Sequence, residues 1–173
     1  IFVDDSTDDT PEVIRSLQDR FPLRITLIAR PPERRKSGLG GAVVEGFKVA
    51  RAPWVCVMDA DLQHPPEFIP KMLKHAQKTG SDIVVGSRLA KGGDATSLGL
   101  KRTIISQVFA MTTRVTFPQR LRSVTDPLTG FFILQRAAVN PDDLHPDGFK
   151  ILLEILVSHP NLTVSEIPIH FGY

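Results

Sequence analysis

Two acidic segments, each directly after a short apolar run, contain the residues best suited to chemistry. The first covers residues 4–10 (Asp-Asp-Ser-Thr-Asp-Asp-Thr), and the second is Asp59-Ala60-Asp61, which Gln63 extends by one oxygen donor. Neighbouring carboxylates repel each other unless a cation or strong hydrogen-bond donors balance their charge. Mg²⁺ or Mn²⁺ suits such oxygen ligands and keeps positions open for a diphosphate. The second segment is therefore a candidate site for a metal ion that binds a diphosphate leaving group.

Each acidic segment also has a structural explanation. The second segment could simply serve a turn, and Asp4 and Asp5 could cap the helix that begins near Thr10. We favour a functional role over a turn role for the second segment, because it follows an apolar strand and precedes the helix start Pro65-Pro66-Glu67. His64, in the same loop, is interpreted as a residue that orients the loop rather than as a ligand.

Composition limits the classes of protein that fit. A chain of 173 residues with 42% hydrophobic side chains is long enough for one domain with a core, and a net charge of +2 does not indicate a nucleic-acid partner. No segment approaches the roughly 20 apolar residues that span a bilayer, so we expect a cytoplasmic location. Residues 95–125 contain no acidic residue, and an anionic partner is expected there because this stretch carries Lys101, Arg102, Arg114, Arg120 and Arg122.

Short apolar runs alternate with helical patterns along the chain. This alternation predicts an α/β fold with a parallel or mixed sheet, in which ligands gather at the carboxyl ends of strands. Cys56 is expected in the core, and the glycines of residues 38–41 indicate close helix packing, since Val43 stands where a dinucleotide-binding loop has its third glycine. The predicted strands are 1–3, 23–29, 54–58, 82–85, 130–134 and a final pair within 162–171, and the predicted helices begin near 10, 39, 65, 101 and 149.

Four motifs, in this order and spacing, resemble family 2 glycosyltransferases: residues 3–10, 38–42, 57–67 and 85–88. Within that family the chain is most similar to enzymes that act on dolichyl or polyprenyl phosphate, through residues 100–106, 126–131 and 166–169. The resemblance implies a single Rossmann-like glycosyltransferase A-type domain over residues 1–173, with a mixed, mainly parallel central sheet flanked by helices. Relative to the family, its first strand and C-terminal basic segment are expected to be absent, and Phe132 replaces a common arginine.

The resemblance also implies roles for individual residues. Asp4 or Asp5, with Asp5 preferred, would contact the base or ribose of the donor, and the backbone of Ala60 would contact the nucleotide. Arg88 and Arg102 would bind phosphates, as the planar fork of a guanidinium allows, although a loop salt bridge at Arg88 and a solvated helix face at Arg102 are alternatives. The metal and diphosphate positions would be Asp59, Asp61 and Gln63, with Asp61, Arg88 and Arg102 forming the catalytic set.

The expected function is inverting transfer of a sugar, mannose from GDP-mannose in the preferred version, to a polyprenyl or dolichyl phosphate with Mg²⁺ or Mn²⁺. The helix predicted over residues 101–116 would lie on the cytoplasmic face of a membrane beside the lipid acceptor, or would pack in the core. Three alternatives stay open: a UDP-glucose-type donor, a saccharide hydroxyl as acceptor, and a nucleotide-binding or scaffold domain without transfer activity.

Overall fold

Strands and helices alternate along the part of the chain that the computed structural model describes: residues 1–22, 24–61, 63–92, 111, 121, 124–146, 148 and 150–170. The strands are β1 (Phe2–Asp4), β2 (Leu27–Ala29), β3 (Trp54–Val57), β4 (Ile83–Ser87), β5 (Phe132–Gln135) and β6 (Val164–Pro168). The α-helices are α1 (Thr10–Arg20), α2 (Gly38–Val49), α3 (Ile69–Thr79) and α4 (Ile151–Ser158). Short 3₁₀ turns cover Pro32–Ser37, Pro66–Phe68, Arg136–Ala138 and Pro141–Asp143.

Hydrogen bonds arrange these strands as a parallel pair and a mixed four-stranded sheet. β1 pairs with β2, and the larger sheet has the order β3-β5-β4-β6. β5 runs antiparallel to both of its neighbours, while β4 and β6 are parallel, so β3, β4 and β6 share one direction. This arrangement confirms the mixed, mainly parallel α/β architecture, with β5 as the strand of opposite direction.

Helices cover both faces of the larger sheet because side chains of a strand alternate between its faces. Along β4, Ile83 and Val85 join the cluster that includes Phe47 of α2 and Ile155 of α4. Val84 between them belongs to the cluster that includes Met72 of α3. All five residues of β4 are buried, as expected for a central strand with a helix layer on each side.

The structure differs from the sequence-based expectations at three places. β2 begins at Leu27 rather than at residue 23, because it pairs with β1 and that strand is only three residues long. Within the described part of the predicted pair at 162–171, one strand covers Val164–Pro168, and all five of its residues pair with β4. Cys56 is exposed rather than buried, because β3 borders a cleft of about 350 Å³ whose other walls are β1 and α2.

Two further expectations concern helices. Within the described residues, none of the helices is both long and apolar enough to cross a bilayer. The helix predicted over residues 101–116 lies, apart from Met111, outside the described residues. Close packing at the glycine-rich start of α2 is confirmed: Gly40 donates its N–H to the Gly148 carbonyl at 2.8 Å, and a Cβ on Gly40 would lie 2.5 Å from Pro146 Cβ.

Candidate active site

The acidic loop after β3 presents its candidate metal ligands to solvent. Asp61 and Gln63 are exposed, and the side chain of Asp59 is 40% exposed. Asp61 Oδ1 also accepts the Gln63 N–H at 3.0 Å, which is the hydrogen bond of an Asx turn. This turn leaves Asp61 able to bind a metal as well, because a carboxylate has several acceptor positions, and its role as a ligand stays a prediction.

The side chain of Asp59 lies against His64 of its own loop and against Gly130, which is distant in sequence. His64 is buried, its ring stacks on Phe131 at a centroid distance of 5.1 Å, and its Nε2 lies 3.5 Å from Asp59 Oδ2. Gly130 lies against the same carboxylate, since a Cβ at this position would be 2.7 Å from Asp59 Oδ2. The role of His64 as a residue that orients the loop stays a prediction, and its placement beside Asp59 agrees with it.

The donor set fits a hard divalent cation. Asp59, Asp61 and Gln63 offer oxygen atoms only, and Mg²⁺ typically binds through one or two carboxylates while substrate phosphates and water complete its shell. Among the described residues there is no cluster of three or more His, Cys, Asp or Glu side chains suited to a metal. Besides the two carboxylates, a cation at this loop would thus need oxygen atoms from the amide of Gln63 and from substrate phosphates or water.

Arg88 follows β4 directly and binds a buried carboxylate. Its Nε and Nη2 donate to Asp126 Oδ2 and Oδ1 at 2.8 and 3.2 Å, and Asp126 is fully buried. The salt-bridge alternative for Arg88 is therefore present in the structure, in bidentate form. Its phosphate-binding role stays a prediction, and Arg102 lies outside the described residues.

The strand register brings the acidic loop and Arg88 to one edge of the sheet. Phe132, the first residue of β5, pairs with Val57 of β3 on one side and with Val85 of β4 on the other. The two candidate segments therefore leave the sheet on either side of the start of β5. The loop that enters β5 contacts both, through Gly130 at Asp59 and through Asp126 at Arg88.

Asp5 forms an ion pair with the buried Arg30, which no local sequence pattern indicated. The Arg30 side chain is fully buried, donates to both carboxylate oxygens of Asp5, with Nε to Oδ1 at 2.8 Å, and reaches the carbonyls of Arg34 and Gly38 at 3.1 and 2.8 Å. The hydrogen bonds from Arg30 hold the pKa of Asp5 below its usual value. The pair ties the end of β1 to the loop before α2, so Asp5 has a structural role beside its predicted contact with the nucleotide. Asp4 instead accepts a hydrogen bond from Ser6 at 2.8 Å.

Replacing Asp5 with asparagine is expected to lower the free energy of unfolding by about 3 kcal/mol at pH 7, because Arg30 would keep a buried charge without its counter-ion. Since the folded-state pKa of Asp5 is depressed, its contribution is complete above the ordinary value of 3.8 and is lost as the pH falls further. Urea unfolding should therefore show a gap between variant and wild type that narrows below about pH 4. Asp4→Asn is the matched control, and an equal loss in both variants would contradict the assignment.

The fold and this site define a class. The chain belongs to glycosyl transferase family 2, because the model of that family matches residues 1–142. A dolichol-phosphate mannosyltransferase of Pyrococcus furiosus is 44% identical over 169 residues, which cover 98% of this chain and 46% of that protein. The dolichol-phosphate mannosyltransferase of Saccharomyces cerevisiae is 36% identical over an alignment of 183 positions, which covers 99% of this chain and 64% of that protein. The chain thus spans about half to two thirds of the length of these relatives.

Solved structures show the fold. Glucosyl-3-phosphoglycerate synthase of Mycobacterium tuberculosis superposes with a TM-score of 0.63 at 19% identity, covering 98% of this chain and 58% of that one. Its complex with Mg²⁺ and uridine diphosphate gives a TM-score of 0.62 at 19% identity, with 99% and 58% covered. The chain therefore has the Rossmann-like glycosyltransferase A-type fold that the sequence predicted.

Proposed function

We propose that the protein containing this chain transfers a sugar from a nucleotide-sugar donor to a dolichyl or polyprenyl phosphate, with residues 1–173 as its catalytic domain. The observation that carries the proposal is the convergence of the acidic loop and Arg88 on the loop that enters β5. An oxygen-ligand metal site beside an arginine suits the diphosphate of a donor and the phosphate of an acceptor. The names of the Pyrococcus and Saccharomyces relatives support mannose as the sugar and a dolichyl phosphate as the acceptor.

The acidic residues would bind the metal, and the arginines would bind the phosphates. Asp59, Asp61 and Gln63 would hold Mg²⁺ or Mn²⁺, which supplies positive charge to the departing diphosphate. Arg88, with Arg102, would align the phosphates, and the backbone of exposed Ala60 would face the nucleotide. A phosphate acceptor is already an anion, so attack on the anomeric carbon with inversion needs positioning more than a strong base. Asp5, bound to Arg30, would contact the base or ribose through its partly exposed carboxylate.

The membrane part of the proposal depends on sequence. The basic residues of 95–125 lie outside the described residues, and their run without an acidic residue favours contact with anionic headgroups on the cytoplasmic face. A lipid-linked acceptor requires the catalytic domain to work at such a surface.

A matrix of donors and acceptors tests the proposal on the full-length protein. GDP-mannose and UDP-glucose are each offered with dolichyl phosphate or with a saccharide acceptor, in Mg²⁺, in Mn²⁺ or after chelation. We expect mannosyl transfer to dolichyl phosphate, with the β-linked product of inversion, and its loss with chelator. Transfer to the saccharide alone, or nucleotide binding without any turnover, contradicts the proposal. Unchanged transfer after chelation contradicts the metal assignment alone.

A further inference from the structure

Glu166 of β6 joins two segments that both lead to Arg88. Its register partner on β4 is Val85, three residues before Arg88. Glu166 Oε1 accepts the backbone N–H of Thr125 at 2.7 Å and that of Asp126 at 3.1 Å, and its Oε2 accepts the Thr125 hydroxyl at 2.7 Å. A single carboxylate thereby fixes the backbone and a side chain of the segment that carries the partner of Arg88.

The first connection from Glu166 runs through Asp126 to the guanidinium. The carboxylate of Asp126 is fully buried and contacts Nε and Nη2 of Arg88 at 2.8 and 3.2 Å. Because Glu166 holds the Asp126 N–H, it sets the position from which this carboxylate reaches Arg88. Two bonds from a rigid carboxylate fix both the location and the plane of a guanidinium.

The second connection runs through hydroxyl groups to the backbone around Arg88. Thr125 Oγ1 lies 2.8 Å from Ser87 Oγ, and Ser87 Oγ accepts the N–H groups of Leu89 and Ala90 at 3.2 and 3.0 Å. Since the proton of Thr125 is donated to Glu166, the Ser87 hydroxyl must donate to Thr125. All bonds in this chain point towards the Glu166 carboxylate, and together they hold the turn that begins with Arg88.

Burial and hydrogen bonding shift the pKa of Glu166 in opposite directions. Burial raises the pKa of Glu166 above its usual value, and the hydrogen bonds from Thr125 and Asp126 oppose that rise. Hydrogen-bond chains in a poorly solvated site polarise one another, so removing the terminal acceptor disturbs every member.

We propose that Glu166 is a positioning residue for Arg88, acting on its side chain through Asp126 and on its backbone through Thr125 and Ser87. The inference rests on the proposed function in that Arg88 is taken to bind a phosphate of the substrates. The hydrogen bonds of Glu166 go to Thr125 and Asp126, and the proposal assigns it no contact with a substrate. In this proposal its effect on transfer passes through Arg88.

Asp82 provides a matched control at the other end of the same strand pair. Its Oδ2 accepts the N–H of Thr163 at 2.8 Å and the Thr163 hydroxyl at 2.7 Å. Asp82→Ala therefore removes the same kinds of hydrogen bond between the β4 and β6 regions, but none that leads to Arg88.

The first measurement is the solvent exchange of the Arg88 Nε–H in the full-length protein, followed by ¹⁵N NMR and assigned with Arg88→Lys. We expect Glu166→Ala to speed this exchange by about tenfold or more, because the Nε–H bond to Asp126 opens more often. Asp82→Ala should leave the exchange unchanged. Glu166→Gln, which keeps an acceptor for the two backbone N–H groups, should fold and show a smaller increase. If the Arg88 Nε–H exchanges at the wild-type rate in both Glu166 variants while they are folded, the proposal is overturned.

The second measurement is a double-mutant cycle on transfer. Glu166→Ala should lower kcat/KM by about 10- to 100-fold in the wild-type background, as displaced positioning groups do. With Arg88→Ala already present, the same substitution should lower it by less than about twofold, since coupled residues are not additive. Equal losses in both backgrounds contradict action through Arg88. If the wild-type protein transfers no sugar, the proposed function fails, and the Nε–H exchange still decides the role of Glu166.

Discussion

Replacing Asp59 with asparagine is expected to lower kcat/KM for sugar transfer by at least about 100-fold, because the divalent cation that Asp59 is proposed to hold would contribute several kcal/mol to the stabilisation of the departing diphosphate. The substitution keeps the shape of the side chain, so its contacts with Gly130 and His64 can persist. The loss should therefore reside in charge and metal affinity rather than in the fold. Steady-state kinetics over a Mn²⁺ titration, with a thermal unfolding curve for each protein, measure both.

Asp19→Asn is the matched control for charge, since Asp19 is an exposed residue of α1 outside the acidic loop. It should keep wild-type kinetics. Asp61→Asn should behave like Asp59→Asn, with an additional small effect on the loop because Asp61 also accepts the Gln63 N–H. An Asp59 variant with the wild-type dependence on Mn²⁺ would refute the placement of the metal.

Local pattern was sufficient to predict the elements that carry the acidic loop. An apolar run followed by Asp59-Ala60-Asp61 and by Pro65-Pro66 specifies a strand, a turn and a helix start within one stretch, and the structure has β3, the loop and then a 3₁₀ turn leading into α3. Arg88 was identified through the resemblance of residues 85–88 to the family, and the structure places it directly after β4. Each of these inferences depends on neighbours in sequence.

The partners of these residues could not be predicted in the same way. Arg30 lies 25 residues from Asp5, and Glu166 lies 41 residues from Thr125, so neither contact leaves a local pattern. The first contact depends on the parallel pairing of β1 with β2, and the second depends on the pairing of β6 with β4, which places Glu166 near the loop that enters β5. An arginine after an apolar strand was the available signal for Arg30, but burial and charge pairing appear only when the sheet and the following loop are assembled.

Gly130→Ala is the sharper test of how the fold shapes the site. An added Cβ would lie 2.7 Å from Asp59 Oδ2 and 3.1 Å from its Cγ, closer than carbon and oxygen tolerate. The backbone at Gly130 has little freedom to shift, because the next residue, Phe131, is fully buried and its N–H donates a hydrogen bond to Thr129 Oγ1. The Asp59 carboxylate must therefore turn away. Displacement of a ligand by its supporting residues typically costs about 10- to 100-fold in metal affinity, and we expect a loss of that size for Mn²⁺.

Electron paramagnetic resonance of free Mn²⁺, with a nucleoside diphosphate present, measures this affinity without turnover. Gly46→Ala supplies a matched control, since its Cβ would meet only Val3 Cγ2 at 3.4 Å, and alanine inside α2 should favour the helix by about 0.5 kcal/mol or more. That variant should bind Mn²⁺ like wild type. Wild-type affinity in a folded Gly130→Ala protein would show that the Asp59 carboxylate does not hold the cation in the orientation seen here, because the added methyl group excludes that orientation.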